Sequence, residues 1–345
     1  MSDATSRYRR QAALPILGEE GQRRIQAGHV LVVGCGALGS VAVELLARAG
    51  VGTLTVVDRD VVEWTNLQRQ LLFDEDDARR ATPKAEAAKA RVARINADVR
   101  VRAFWDDLGP RNAVRYAEGV DVIVDGLDNI ESRYLLNDLA VSTGTTYVYG
   151  AAVGTVGMCA VVRPGATPCL RCMFPEPPHP GSVATCDTVG VLGTATAIVA
   201  SLEVTQAIKI LAGAADSCER RLVSLDVWSG EYRAIDRGEA PDPQCPCCGR
   251  RNFEFLNGER IPQVTTLCGA NAVQIAPRRS ATCDLDAIAA RLEGHATIER
   301  RDGAIRAAMR DDAVELTVFV DGRVVVRGTT EPDRARALVA RYVGT

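Results

Sequence analysis

Histidine is scarce, basic charge is not in excess, and no apolar run is long enough to cross a membrane. With 3 histidines in 345 residues, any metal site must draw mainly on thiolates. The net charge of -3 and pI near 5.8 argue against a nucleic-acid-binding protein, which would carry a basic surplus. A local basic pocket remains compatible with that balance. The longest apolar stretch, Val189 to Leu202, falls short of the ~20 residues that span a bilayer. Glu203 and Lys209 follow it, so it reads as a buried helix. Met1 to Arg10 is polar and charged and lacks the apolar core of a signal peptide. A cytoplasmic protein without membrane contacts is the expectation. The chain also lacks a G-x-x-x-x-G-K-[ST] loop, an internal repeat and a low-complexity segment.

Apolar residues make up 47% and charged residues 25%, as in soluble globular proteins. The length exceeds what one core usually serves and predicts two domains. The 11 cysteines, in a chain expected to stay inside the cell, point to metal binding or catalysis rather than disulfides.

Short apolar strands alternate with helical segments in the first half. Val30 to Val33, Leu54 to Val57 and Val120 to Val124 read as strands, and Leu38 to Ala49 as a helix. Thr82 and Pro83 open a further helix to about Asn96, with a hydroxyl cap and proline at the first helical position. Near-continuous apolar strands separated by helices predict a parallel sheet covered on both faces. From Thr146 the pattern changes to paired strands, Tyr147 to Ala152 and Met158 to Val162. Phe174 to Val189 reads as an irregular Pro/Gly-rich loop, Ala195 to Leu211 as an apolar helix, and Leu222 to Val227 with Tyr232 to Ile235 as a hairpin. Residues 1–250 form the expected main domain and 251–261 a linker. Residues 262–345 form a small α/β module with strand Ala272 to Ile275, helices Leu285 to Leu292 and Pro332 to Tyr342, and a hairpin turning at Asp321-Gly322.

Gly34-Cys35-Gly36-Ala37-Leu38-Gly39 is a G-x-G-x-x-G between a strand and a helix. Gly34, Gly36 and Gly39 let backbone approach a phosphate at a helix N-terminus. Asp58 ends the next strand, where an acid reads ribose hydroxyls. This turn serves NAD, FAD and ATP alike. More telling are Asn66-Leu67-Gln68-Arg69-Gln70 and Lys84: Arg69 and Lys84 are cations able to converge on a triphosphate. Asp128, beyond the Val120 strand, is placed to hold Mg²⁺. Each alone reads as a solvated charge; together they follow strand ends on one edge, where open sheets bind ligands. Cys169-Leu170-Arg171-Cys172 and Cys245-Pro246-Cys247-Cys248 form two Cys-x-x-Cys pairs, the makings of a closed zinc site, although Cys247 could replace a neighbour. Cys186, in Ala184-Thr185-Cys186-Asp187, reads equally as a nucleophile or an inert thiol. Cys35 and Cys159 read as packing.

Arg7-Tyr8-Arg9-Arg10-Gln11, the glycine turn, VVDRD, NLQRQ, Lys84, DGLDN, the two cysteine pairs and TCDTVGVLG occur in one order. Over residues 7–249 the chain resembles the ThiF/MoeB family, bacterial relatives of ubiquitin-activating enzymes. The resemblance implies a Rossmann-like, mostly parallel sheet with an antiparallel extension and a four-cysteine zinc site. It implies a homodimer with Mg-ATP in each subunit, Asp58 on the ribose, and Asn66, Arg69 and Lys84 on the phosphates. Asp128 would hold magnesium or triphosphate, and Arg10 would reach the neighbouring subunit's site. Cys169, Cys172, Cys245 and Cys248 would bind structural zinc, and Cys186 matches a loop cysteine that some members link covalently to the carrier.

The implied activity is adenylation of the C-terminal glycine carboxylate of a ubiquitin-like sulfur-carrier protein ending in Gly-Gly. No rhodanese-like domain is present, so a separate protein would donate sulfur. An adenylating enzyme for another carboxylate, such as a peptide's, is the nearest alternative. An NAD-dependent oxidoreductase would leave Arg69, Lys84 and the cysteine pairs idle. A scaffold that kept only the fold would have lost phosphate-contact residues.

Overall fold

The computed structural model describes residues 7–178, 186–260, 264–267, 271–276, 283–301 and 303–344. Two compact units divide the chain between Glu259 and Arg260.

The first unit is built on eight strands: β1 (His29–Val33), β2 (Thr53–Asp58), β3 (Arg100–Trp105), β4 (Val122–Asp125), β5 (Thr146–Val153), β6 (Val156–Val162), β7 (Leu222–Asp226) and β8 (Glu231–Ile235). Their order is β3-β2-β1-β4-β5-β6-β7-β8. β1 to β5 run parallel and β5 to β8 antiparallel. The sheet is therefore mostly parallel at one end with the antiparallel extension expected. Alternate residues of the central strands feed opposite faces. Val30, Val32, Leu54, Val56 and Val122 meet the helices Ala37–Ala49 and Lys84–Ile95. Leu31, Val33, Val57 and Ile123 meet the helix Ile130–Thr143.

The helix Gly193–Leu211 runs on past the apolar stretch that ends at Leu202, through Glu203 and Lys209, and is, contrary to the expectation from that stretch, the one helix among the described residues long and apolar enough to cross a membrane. It packs inside the unit, against β4, β5, β6 and the Ala37–Ala49 helix. Glu203 lies wholly buried within it.

Two local expectations change. The helix after Pro83 begins at Lys84 with Pro83 at its cap position and no side-chain cap. Thr82 and Pro83 are extended instead: the Thr82 carbonyl accepts from the Val62 N–H, and the Lys84 N–H donates to the Asp60 carbonyl. That short bridge between Val61 and Pro83 brings Lys84 beside Asp60. At Asp321-Gly322, only Gly322 has positive φ (84°), and the Gly322 N–H bonds back to Phe319. This is a three-residue connection with glycine at the left-handed position, not the two-residue turn expected.

The second unit is a six-stranded antiparallel sheet in the order β11-β12-β13-β14-β10-β9. Its strands are β9 (Val264–Leu267), β10 (Ala272–Ile275), β11 (Ala296–Arg301), β12 (Ala304–Met309), β13 (Glu315–Phe319) and β14 (Val324–Arg327). The helices Leu285–Leu292 and Pro332–Tyr342 close its core over Val273, Ile305, Leu316, Val318 and Val326.

Candidate active site

In the strand order, β1 lies between β2 and β4, so the chain leaves β1 and β4 in opposite directions. An open parallel sheet leaves a crevice at such a switch. Glycines set its floor. Gly34 has φ 84°, a conformation glycine adopts without cost. A Cβ on Gly126 would lie 2.0 Å from the Gly34 carbonyl oxygen, and one on Gly39 would lie 1.9 Å from it. The ends of β1 and β4 and the first helical turn therefore meet backbone to backbone.

Above this floor is a cavity of about 180 Å³. Its walls include Gly34, Gly36, Asp58, Arg69, Lys84 and Asp128. The chain thus brings these six expected residues to one place. Gly39 stays in the packed floor, outside the lining. Asn66 is buried outside the lining too; its Oδ1 accepts from the Glu63 N–H at 2.9 Å and caps the short turn Trp64–Asn66.

Asp58 is buried, and its carboxylate accepts from the Cys35 N–H at 2.6 Å and the Asp60 N–H at 2.7 Å. Burial pushes its carboxyl up to about 6, against the pull of Lys84 and the two N–H groups. Lys84 is also buried, with Nζ 3.4 Å from Asp60 Oδ2. Burial disfavours its charge, but Asp60, Asp58 and Asp128 outweigh that and hold it above the ordinary ammonium range. A buried cation at the mouth of a glycine turn is suited to phosphate. Arg69 lines the same wall, with Nη1 donating to the Thr65 carbonyl at 2.8 Å. Asp128 is exposed in the same lining.

Several lining residues escaped the sequence reading. Asp106 and Asp107 follow β3, an edge strand whose alternating Arg100-Val101-Arg102-Ala103 lacks an apolar run. Arg59 pairs with Asp107 at 3.4 Å, and Trp105 Nε1 donates to the Arg59 carbonyl. Arg133 reaches the cleft from the first turn of the Ile130–Thr143 helix. That helix begins at Asn129, whose Oδ1 accepts from the Ser132 N–H, an N-cap that could have marked it in the sequence.

Arg10 is exposed on the short helix Arg9–Ala12 and does not line this cleft. Cys186 begins the short helix Cys186–Val189; its side chain lies outside the described residues.

Away from the cleft, Cys169, Cys172, Cys245 and Cys248 place four sulfur atoms within 4.8 Å of one another. Neighbouring Sγ atoms lie 3.3 to 3.8 Å apart. Tetrahedral bonds of ~2.3 Å require sulfurs ~3.8 Å apart, so the set fits zinc. Cys247 stands outside this set. It is buried and accepts from Asn137 Nδ2 at 3.2 Å. The same amide reaches Cys169 Sγ at 3.7 Å, and Asn137 Oδ1 accepts from the Leu170 N–H. Phe255 is buried beside Tyr134, and the N–H groups of Phe255 and Leu256 donate to Asp138.

The chain is 38% identical over 340 residues to the sulfur carrier protein ThiS adenylyltransferase of Bacillus subtilis, covering 99% of this chain and 100% of that one. It is 41% identical to the SAMP-activating enzyme E1 of Haloferax volcanii, over 74% of this chain and 93% of that one. Its fold matches the crystal structure of E. coli MccB with MccA-N7isoASN at a TM-score of 0.61 and 21% identity, covering 72% and 75% of the two chains. A model described as the ThiF family matches residues 8–247, and the chain belongs to that family.

Proposed function

We propose that this protein adenylates the C-terminal carboxylate of a small ubiquitin-like sulfur-carrier protein. The observation that carries the reading is the cleft itself: Lys84, Arg69 and Asp128 line one cavity with Gly34 and Gly36 of the glycine turn. The full-length likeness to a ThiS adenylyltransferase supports the carrier as substrate.

A C-terminal carboxylate, with reference pKa near ~3.5, is ionised at neutral pH and needs no general base. Its oxygen bonds to the α-phosphorus of ATP, the bond to the bridging oxygen breaks, and pyrophosphate leaves with that electron pair. The protein must supply alignment and positive charge around the leaving oxygens. Lys84 and Arg69 supply the charge, Asp58 accepts from the ribose, and the Gly34–Gly36 backbone lies against the phosphates. Asp128 is an oxygen donor of the kind Mg²⁺ takes, and the ion would neutralise phosphate charge there. Asn66 acts from behind, by shaping the turn that bears Arg69.

The rest of the reading is a cytoplasmic homodimer, a separate sulfur donor, zinc in the cysteine site, and Arg10 completing the partner's cleft. Mixing Arg10→Ala with Arg69→Ala chains should restore activity, since one site per heterodimer is then intact. Mixed, re-equilibrated dimers that stay inactive would show that Arg10 does not act in trans. Cys186 serves only downstream of adenylation. Cys186→Ser should therefore keep exchange and lose any covalent carrier adduct seen by non-reducing mass spectrometry; an adduct that persists in the variant would clear Cys186 of that role.

The main experiment is exchange of labelled pyrophosphate into ATP, with and without a Gly-Gly-ending carrier. Carrier-dependent exchange is expected. Exchange absent with every such carrier, or equally fast without one, would refute the reading.

A further inference from the structure

Arg133 belongs to no motif of the glycine turn, yet it sits where the cleft meets the core. Its Nη2 donates to the Leu127 carbonyl at 2.7 Å and to the Gly150 carbonyl at 3.0 Å. Its Nε lies 3.4 Å from Asp125 Oδ2, and its guanidinium lies over the Tyr149 ring. Asp125 is fully buried at the end of β4. It also accepts from the Tyr147 hydroxyl and, through Oδ1, from the Leu127 N–H at 3.0 Å.

Both polar backbone atoms of Leu127 are therefore held: the N–H by Asp125 and the carbonyl by Arg133. The next residue is Asp128. The one after, Asn129, is fixed as the cap of the Ile130–Thr143 helix. Asp128 thus stands on a turn pinned on both sides, though its own carboxylate is exposed to the cleft.

The other end of the clamp is equally specific. A Cβ at Gly150 would lie 2.3 Å from Glu203 Cδ, so β5 comes this close to the buried Gly193–Leu211 helix only with glycine there. Both Glu203 carboxyl oxygens are buried, and among the described residues neither has a partner within hydrogen-bond distance. Burial drives that carboxyl well above the usual range, the strongest of several influences on it. Of the two buried acids, Asp125 is the one in direct contact with the Arg133 guanidinium.

We propose that Arg133 is a positioning residue for the transfer reaction: it clamps the Asp128-bearing turn to β5 and fixes where that carboxylate meets the metal–phosphate complex. This rests on the adenylation reading and on the role given there to Asp128. The clamp uses two ends of the guanidinium: Nη2 holds both carbonyls while Nε stays 3.4 Å from Asp125 Oδ2. Lysine keeps the charge, but its single nitrogen cannot hold the two carbonyls and stand beside Asp125 at once.

The test compares Arg133→Lys and Tyr147→Phe with wild type in carrier-dependent pyrophosphate exchange, across a Mg²⁺ titration, with melting temperature measured alongside. A misplaced group near reacting atoms can cost ~10²-fold. Arg133→Lys should lower kcat by ~10–100-fold, leave the KM for ATP within about twofold, and raise the Mg²⁺ needed for half-maximal rate. Tyr147→Phe removes one hydroxyl from Asp125, keeps every charge, and should shift kcat and Mg²⁺ dependence the same way by a smaller factor. Wild-type kcat and Mg²⁺ dependence in both folded variants would overturn the proposal. So would an Arg133→Lys effect confined to melting temperature. Wild-type exchange is the control: its failure strikes the adenylation reading, whereas its success with indifferent variants strikes only the clamp.

Discussion

The nucleotide cleft and the cysteine site solve the same problem in opposite ways. Both gather groups that are costly to bury. In the cleft, Asp58, Lys84, Asp125 and Arg133 are offset by one another and by backbone N–H and carbonyl groups. In the cysteine site, four thiols crowd together with one amide, Asn137, bonded to the cluster. Only a cation can make four close thiolates stable. The cleft's charges are offset by other groups of the chain; the cysteine site has the donor set that a metal would complete. One helix serves both, with Arg133 at its first turn in the cleft and Asn137 and Asp138 one turn on, at the cysteines.

The largest effect should come from emptying the cleft of charge. Lys84→Ala and Arg69→Ala should each cut carrier-dependent exchange by ~10²–10³-fold, because both act where charge builds in the transition state. Lys84 is the sharper probe. Its removal leaves Asp58 and Asp60 without their nearest cation, so nucleotide affinity should fall as well. Arg69, tied among the described residues only to the Thr65 carbonyl, should leave melting temperature unchanged. Exchange near the wild-type rate in either variant would take the phosphate role away from that residue.

Next in size is the cysteine site. Elemental analysis should find one zinc per chain, and Cys169→Ser should lose it. Each kcal/mol lost lowers the melting temperature by ~2–4 °C in a unit of this size, so a visible drop is expected. Well below the new midpoint the variant should retain most of its exchange, because the cleft's contacts do not pass through sulfur. If exchange collapses while the protein remains folded, the shared helix transmits more than this comparison allows. A metal-free protein of full stability would show that the cysteines do not hold zinc.

How far each region could be read beforehand follows from the same contrast. The glycine turn, Asp58, Arg69, Lys84, Asp128 and the cysteine pairs announce themselves by spacing, and the structure brings the first group into one cleft and the four cysteines into one cluster. The apolar strands β1, β2 and β4 were legible because they are buried on both faces. β3 was not, because an edge strand carries Arg100 and Arg102 toward solvent. The Ile130–Thr143 helix was missed for a different reason. It is buried without a break from Tyr134 to Val141, Asn137 and Asp138 included, so no apolar stripe stands out against a polar face. Arg133 was invisible for that reason too, and the DGLDN motif marked Asp125 without its role: their meaning lies in a carbonyl and a hydroxyl supplied by β5, which no local pattern encodes. In the second unit, β11 and β12 escaped notice. Arg300 and Arg306 in these strands pair with Asp286 and Glu315 and so break the apolar alternation.

The smallest expected effect is a pH dependence, and it separates the cleft's two tasks. Burial lifts the Asp58 carboxyl to about 6, while an unfolded aspartate titrates near ~3.9. A folded value above the unfolded one means that Asp58 contributes stability fully below the unfolded value and loses it as pH rises through about 6. Ribose binding has the opposite sign, because the hydroxyls need the ionised acceptor. Lowering pH from 7.5 to 5.5 should therefore raise the KM for ATP by up to ~10-fold per unit once pH falls below the Asp58 value. Asp58→Asn keeps the shape without the titration, so it also corrects for protonation of ATP itself. The melting-temperature advantage of Asp58→Asn over wild type should grow between pH 5 and pH 7, while its KM profile should be flatter. Parallel KM profiles for the two proteins would show that Asp58 does not titrate against the nucleotide. A stability difference that stays constant across the same range would show that burial of this acid carries no cost in the folded cleft.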